Sequence, residues 1–271
     1  MLPFRTTKTT PKQRRLKNLE ERRNISLSPA RIEPKSQNPA HADFLEGFGN
    51  KTVHQTFSEF NKPIYPIPIS VAQTFEFPQE KNFTDTRKHF LFFGGGGAVL
   101  KGLDLVVEAF AELPHLHLHI IGPAAYEKEF EQTYAKELTL PNISRDCRPR
   151  IDKDGNMTVN GVPFIDIANT CATLIYPSAS EGTSGAVVQA MHAGVIPMVT
   201  PQTGLSEDAP AVTLENPTVD TIRTEVQKIA TTPPETLSRI ARDAWTYARE
   251  HHTKKTFSTA YECFIDDILK L

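Results

Sequence analysis

In the stretch EGTSGAVVQAMHAG, residues 181–194, a glutamate enters a glycine-bounded turn and a short apolar segment follows at helical spacing. A glutamine stands eight positions after the glutamate. A carboxylate at Glu181, just ahead of a helix, can accept hydroxyl donors such as those of a sugar. Beyond the turn at Gly182, Thr183, Ser184 and Gly185 would place hydroxyls and backbone N–H groups at the helix N-terminus. Unpaired amides and the helix dipole favour an anion there, a diphosphate for example. Gln189 would lie about one turn further in. The same residues also fit plain N-terminal capping, with Thr183 or Ser184 accepting a backbone N–H and Glu181 complementing the dipole. Spacing alone leaves both readings open.

A second loop has related chemistry. GGGG at 94–97 lets the backbone come close to a phosphate at Gly95, Gly96 and Gly97, and Lys101 supplies a cation near the next helix start. The run is neither a P-loop, which ends Gly-Lys-Ser/Thr, nor a G-x-G-x-x-G fingerprint with its later acid. A flexible loop is an equally good account of it.

Both loops must be positioned by regular elements, and the sequence from 88 onward supplies them. HFLFFG (89–94), HLHLHIIG (115–122), CATLIYP (171–177) and VIPMVT (195–200) read as strands. KGLDLVVEAFAEL (101–113), AYEKEFEQTYAKEL (125–138) and GAVVQAMHAG (185–194) read as helices between them, with further helices near 217–231, 233–250 and 255–270. Alternating strands and helices imply an α/β fold with a doubly wound parallel sheet, Rossmann-like, covered on both faces. Ligands of such sheets bind beyond the carboxyl ends of the strands, where both loops fall. Upstream, ADFLEGFGNKTVHQTF reads as a short strand, a polar turn and a helix. NKPIYPIPIS, with Pro63, Pro66 and Pro68, reads as a stiff extended linker.

Taken together, HFLFFGGGGAVLKGLDLVVEAFAELPHLHLHIIGP and YPSASEGTSGAVVQAMHAGVIPMVTPQTGL resemble the donor-binding half of a family 4 glycosyltransferase (glycosyl transferases group 1) of GT-B fold. WTYAREHHTKKTFSTAYECF is similar to the closing helices of that family, and NKTVHQTFSEFNKPIYPIPISV to the exit from its first domain. The resemblance implies a retaining transfer of a sugar from a nucleotide-diphosphate sugar to a hydroxyl acceptor, with the nucleotide sugar as substrate and no cofactor. By position, Glu181 matches the glutamate that contacts the donor sugar, Lys101 the phosphate-binding lysine, and Gly182–Gly185 the turn whose amides face the diphosphate. Gln189 stands where a second glutamate grips the ribose. Gly96 replaces an arginine, and an amide in place of a carboxylate at 189 would cost on the order of 1–2 kcal/mol, roughly tenfold in nucleotide affinity.

The expected organisation is a basic leader, partial N-terminal segment and Pro-rich linker over 1–87, a donor-binding domain over 88–250, and a C-terminal helix over 251–271 packing back toward the N-terminal segment. Residues 1–87 are too few for a complete acceptor domain. The expectations are therefore a second chain that completes it, or a non-catalytic nucleotide-sugar-binding or partner-binding module derived from such an enzyme. The acceptor is not read from the sequence.

Composition narrows the partners. The 271 residues are 39% hydrophobic and 23% charged, with a formal charge of −2, which gives no global reason to expect nucleic acid. Cys147, Cys171 and Cys263 form neither a disulfide framework nor a zinc pattern, as in a reducing cytosol. No apolar run approaches the roughly 18 residues of a spanning helix. A cytoplasmic protein is expected, membrane-peripheral if residues 1–23, with Arg5, Lys8, Lys12, Arg14, Arg15, Lys17, Arg22 and Arg23, face anionic lipid. Otherwise PKQRRLKNLEERR is a solvated helix. His115, His117 and His119 alternate along a strand and could bind metal, although partly exposed strand histidines explain them as well. DKDGNMTVNG fails as a calcium loop and reads as a hairpin turning at Asp154-Gly155. His192 either faces the pocket or packs in the core.

Overall fold

The computed structural model describes residues 11–26, 42–122, 127–146 and 149–270. The irregular stretch around Pro29, Pro34 and Pro39, the basic residues Arg5 and Lys8, and Cys147 lie outside them. The chain opens with α1 (Pro11–Arg23), followed by β1 (Leu45–Gly47), α2 (Lys51–Gln55) and β2 (Ile64–Pro66). Next come α3 (Phe83–Thr86), β3 (His89–Phe93), α4 (Leu103–Ala111), β4 (His117–Ile121), α5 (Lys128–Thr133) and β5 (Ile143–Asp146). A small antiparallel unit, β6 (Arg150–Ile151), β7 (Met157–Val159) and β8 (Val162–Pro163), leads into α6 (Phe164–Thr170). The chain continues through β9 (Thr173–Tyr176), α7 (Gly185–His192), β10 (Ile196–Val199) and β11 (Val212–Thr213). It closes with α8 (Val219–Thr231), α9 (Pro234–His251) and α10 (Lys254–Ile268).

The main sheet has six parallel strands in the order β11-β10-β9-β3-β4-β5. Its central strands are continuous apolar runs because helices cover both faces, and Phe90, Leu91, Phe92, Leu174 and Ile175 have no exposure. α4 starts at Leu103 because Gly102 takes a left-handed backbone, φ 82°. A Cβ at Gly102 would lie 2.6 Å from the Pro177 carbonyl, so only glycine lets the end of the Lys101 loop press against the loop after β9. The helix expected over 125–138 is split: after α5, residues 134–136 form a turn and a short 3-10 segment follows at Glu137–Thr139.

One sequence reading changes. The basic helix α1 is docked, not solvated: Leu16, Leu19 and Arg15 are buried. Arg22 Nη2 lies 2.6 Å from Asp104 Oδ2, and Arg15 Nη1 lies 3.9 Å from Asp104 Oδ1. Arg23 pairs with Glu108 and Glu137, and its guanidinium covers the Tyr134 ring at 4.4 Å. Burial pushes the Asp104 carboxyl up against the pull of the two guanidiniums. These contacts engage Arg15, Arg22 and Arg23 within the chain, while Arg14 and Lys17 remain outward.

The Pro-rich linker, too, is anchored. β2 pairs in parallel with β1, and α10 packs onto both through Phe264, whose ring lies 5.5 Å from Phe44 and 5.0 Å from Tyr65. Trp245 Nε1 donates to Phe75 O at 2.9 Å. Lys81, half-buried, donates to Ala168 O and Gly194 O, at the C-terminal ends of α6 and α7. His252 faces Ile69 O at 3.3 Å through Nδ1, while its carbonyl lies 3.0 Å from His192 Nε2. His192 is therefore a packed core residue.

Two tests follow from this packing. Removing Asp104 leaves two guanidiniums at least partly buried without their carboxylate, so Asp104→Leu should cost about 3–5 kcal/mol and lower Tm by roughly 10 °C in thermal denaturation. Burial holds His252 down to about 4 against an ordinary 6.5. Between those values the unfolded chain carries a proton at this site that the folded chain does not. Stability present at pH 7 should therefore fall by up to about 3 kcal/mol as pH drops from 6.5 to 4, and urea titrations across that range should show a shallower loss in His252→Gln.

Candidate functional site

The carboxyl ends of β3 and β9 bring the two expected loops together. Lys101 Nζ lies 2.5 Å from Glu181 Oε1, with both side chains about four-fifths buried. The same carboxylate oxygen has the Tyr176 hydroxyl at 3.3 Å and Ser178 Oγ at 3.4 Å. The Lys101 ammonium also stands 5.4 Å from the Tyr176 ring centroid. Burial works against the charge on Lys101, but the Tyr176 hydroxyl and Glu181 outweigh it and raise its pKa. Burial, reinforced by the Glu181 charge, raises the Tyr176 phenol. Tyr176 and Ser178 were not singled out from the sequence, although both stand in the YPSASEG run with Glu181.

The turn from β9 into α7 is fixed by backbone contacts. Glu181 N donates to Gln202 O at 2.9 Å and Ser184 N to Thr203 O at 3.2 Å. Gly204, at φ 82°, brings its Cα so close to Gly182 O that a Cβ would lie 1.4 Å away. Ser184 is the cap residue of α7 but makes no side-chain capping bond, and Thr183 Oγ1 instead reaches Gly204 O at 3.4 Å. Plain side-chain capping therefore does not account for the Thr-Ser pair.

A cavity of about 400 Å³ opens beside these groups. Gly94, Gly95 and Phe93 from the end of β3 line it, as do Gly185, Ala186 and Gln189 from α7. The linker at 70–72, Pro149 and Met157 complete the wall. A larger cavity of about 640 Å³ lies at the other end of β3, beside His89 and Lys81, away from the Lys101–Glu181 pair. The smaller cavity is the one at the strand ends where α/β sheets take ligands.

Some sequence-derived contacts are already engaged within the chain. Gly97 N and Ala98 N donate to Glu127 Oε1 at 2.5 and 3.1 Å, so an internal carboxylate sits on part of the glycine loop. Gly95 and Gly96 are exposed. Gln189 Nε2 donates to Gln73 O at 2.5 Å. Neither Glu127 nor Gln73 carried a motif, and their contacts follow from loop geometry alone.

The alternative sites resolve as structural features. Among the described residues no group of three His, Cys, Asp or Glu side chains could hold a metal ion. His115 is exposed before β4, while His117 and His119 stack on His89 of β3. Asp152 Oδ1 accepts the amides of Asp154 and Asn156, which makes DKDG a hairpin turn. No helix among the described residues is long and apolar enough to cross a membrane.

A six-stranded parallel sheet flanked by helices is the architecture of a Rossmann-like domain of GT-B fold, and solved structures agree. The fold is similar to that of WaaG, a glycosyltransferase involved in lipopolysaccharide biosynthesis, with TM-score 0.59 and 16% identity over 90% of this chain and 70% of that one. It is similar to a glycosyltransferase from Rickettsia africae, with TM-score 0.64 and 13% identity over 91% and 69%. It also resembles Anabaena HepE in complex with UDP and glucose, with TM-score 0.62 and 11% identity over 85% and 64%. The chain spans 64–70% of the length of these three proteins and 41% of that of TarM, whose structure it also matches. No curated protein sequence matches the chain. The family model described as glycosyl transferases group 1 matches residues 87–231, and the chain belongs to that family.

Proposed function

We propose that this chain binds a nucleotide-diphosphate sugar and serves its transfer, with retention, to a hydroxyl acceptor. The reading rests chiefly on the Lys101–Glu181 pair, held at the strand ends beside a cavity of about 400 Å³ and the N-terminus of α7. A diphosphate entering there meets an ammonium and the first amides of a helix, which together stabilise the negative charge that builds on the leaving group. Lys101 exchanges its carboxylate partner for phosphate, and Glu181 is released to accept hydroxyls of the donor sugar. Tyr176 and Ser178 hold Glu181 until then. Gly182 to Gly185 form the turn facing the diphosphate, with Gly95 and Gly96 across from it. The complex of HepE with UDP and glucose makes UDP the first probe to try.

A second reading has its own support. Glu127 already fills the amides of Gly97 and Ala98, and Gln189 is bonded to Gln73. A site whose contacts are satisfied internally suits a weak nucleotide-sugar-binding module without turnover, or one half of a site completed by a second chain.

Calorimetric titration with UDP, GDP and ADP separates these readings. The donor site predicts micromolar-to-millimolar binding of one nucleotide, weakened about tenfold in Lys101→Ala by loss of a charge-assisted phosphate contact. Glu181→Ala should change bare-nucleotide binding little and abolish turnover of the matching sugar nucleotide. A well-folded chain that binds none of the three overturns the donor reading. Binding without hydrolysis or transfer favours the module.

A further inference from the structure

One residue of the linker ties together three walls of the cavity. Gln189, buried on α7, donates from Nε2 to Gln73 O at 2.5 Å, and its Oε1 lies 3.4 Å from Gln73 N. An amide side chain offers one donor face and one acceptor face, matching the acceptor and donor of a peptide unit. A carboxylate at 189 would keep an acceptor for Gln73 N–H but set its second oxygen against the Gln73 carbonyl. The side chain of Gln73 repeats the pairing on its other side. Its Oε1 accepts Met157 N at 2.8 Å, and its Nε2 lies 3.4 Å from Asn156 Oδ1.

The hairpin that receives these bonds is fixed at its tip. Asp152 accepts the amides of Asp154 and Asn156. Met157, the first residue of β7, lines the cavity together with Gln189 and linker residues 70–72. The linker, α7 and the hairpin are far apart in sequence, 116 residues separating Gln73 from Gln189 and 84 separating it from Met157. Among the hydrogen bonds of the described residues, only those of Gln73 join all three.

We infer that Gln73 is the positioning residue of this cavity. It holds the Met157 hairpin as a fixed wall against the linker, and Gln189 holds Gln73. The ligand this wall serves is a nucleoside diphosphate, a point that rests on the donor reading above. A wall fixed before the ligand arrives spares part of the ordering cost of binding. Gln189 accordingly acts through the linker rather than on the ligand.

Amide hydrogen exchange on the free chain tests the assignment without any ligand, because Met157 N–H is itself one of the bonds. In Gln73→Ala, exchange at Met157 should speed up about tenfold while the amide of residue 73 stays as in the wild type. In Gln189→Met, which keeps side-chain volume but removes both bonds, exchange should speed up at both positions. A merely structural contact would stop there. A positioning role also weakens binding of whichever of UDP, GDP and ADP the wild type takes, by about threefold to tenfold in Gln73→Ala, with Tm within about 2 °C of wild type. Unchanged Met157 exchange in Gln73→Ala overturns the assignment, as does faster exchange with unaltered nucleotide affinity. A wild-type chain that binds no nucleotide defeats the donor reading by itself, and the exchange results then decide the role of Gln73.

Discussion

Asp104 is a carboxylate with no exposure to solvent, set between the guanidiniums of Arg15 and Arg22. A buried charge is costly unless paired, and the pairing here comes from a helix that lies outside the region matched by the family model. The consequences spread from α4 into the site. Asp104 stands three residues after Lys101, and Arg15, which faces it, also donates to Pro177 O at 2.9 Å. Pro177 directly precedes Ser178, whose hydroxyl lies against Glu181. The loop carrying the ammonium and the loop carrying the carboxylate are thus fastened from below by one guanidinium, and Gly102 lets them touch.

A similar economy governs the linker. It leaves the β1–β2 pair, passes the cavity, and is fixed at Ile69, Gln73, Phe75 and Lys81 before β3 begins. Lys81 places an ammonium where two helices end, a position favoured by the negative ends of their dipoles even though burial lowers its pKa to about 7. Proline limits the conformations open to this segment, but the contacts that hold it are side-chain bonds to α7, α9 and the hairpin. The cavity wall at 70–72 is therefore as much a product of the C-terminal helices as of the linker itself.

The sheet and its helices could be read from the sequence because burial on both faces writes itself as unbroken apolar runs such as HFLFF and TLIY, and because glycine marks the turns. The pairing of Lys101 with Glu181 was within reach too, since both stand at strand ends that a parallel sheet sets side by side. What escaped has a common cause. Arg15 with Asp104, Glu127 with Gly97, and Gln189 with Gln73 are polar contacts between residues 30 to 116 positions apart. Neither periodicity nor local spacing encodes such pairs. Charge density suggested that α1 faces solvent, whereas Arg15, Arg22 and Arg23 answer acids elsewhere in the fold. Position places Gln189 at the cavity, where it also meets the chain's own backbone at Gln73.

The docking of α1 also bears on the order in which the chain is made. The helix is synthesised before what it docks on: its acidic partner on α4 follows Arg22 by 82 residues, and the carbonyl that Arg15 caps follows Arg15 by 162 residues. During that interval Leu16 and Leu19 have no core to enter, and the arginines have no buried carboxylate to meet. The loops of Lys101 and Glu181 therefore gain their common support from Arg15 only once both α4 and the loop after β9 have been made and α1 has docked against them.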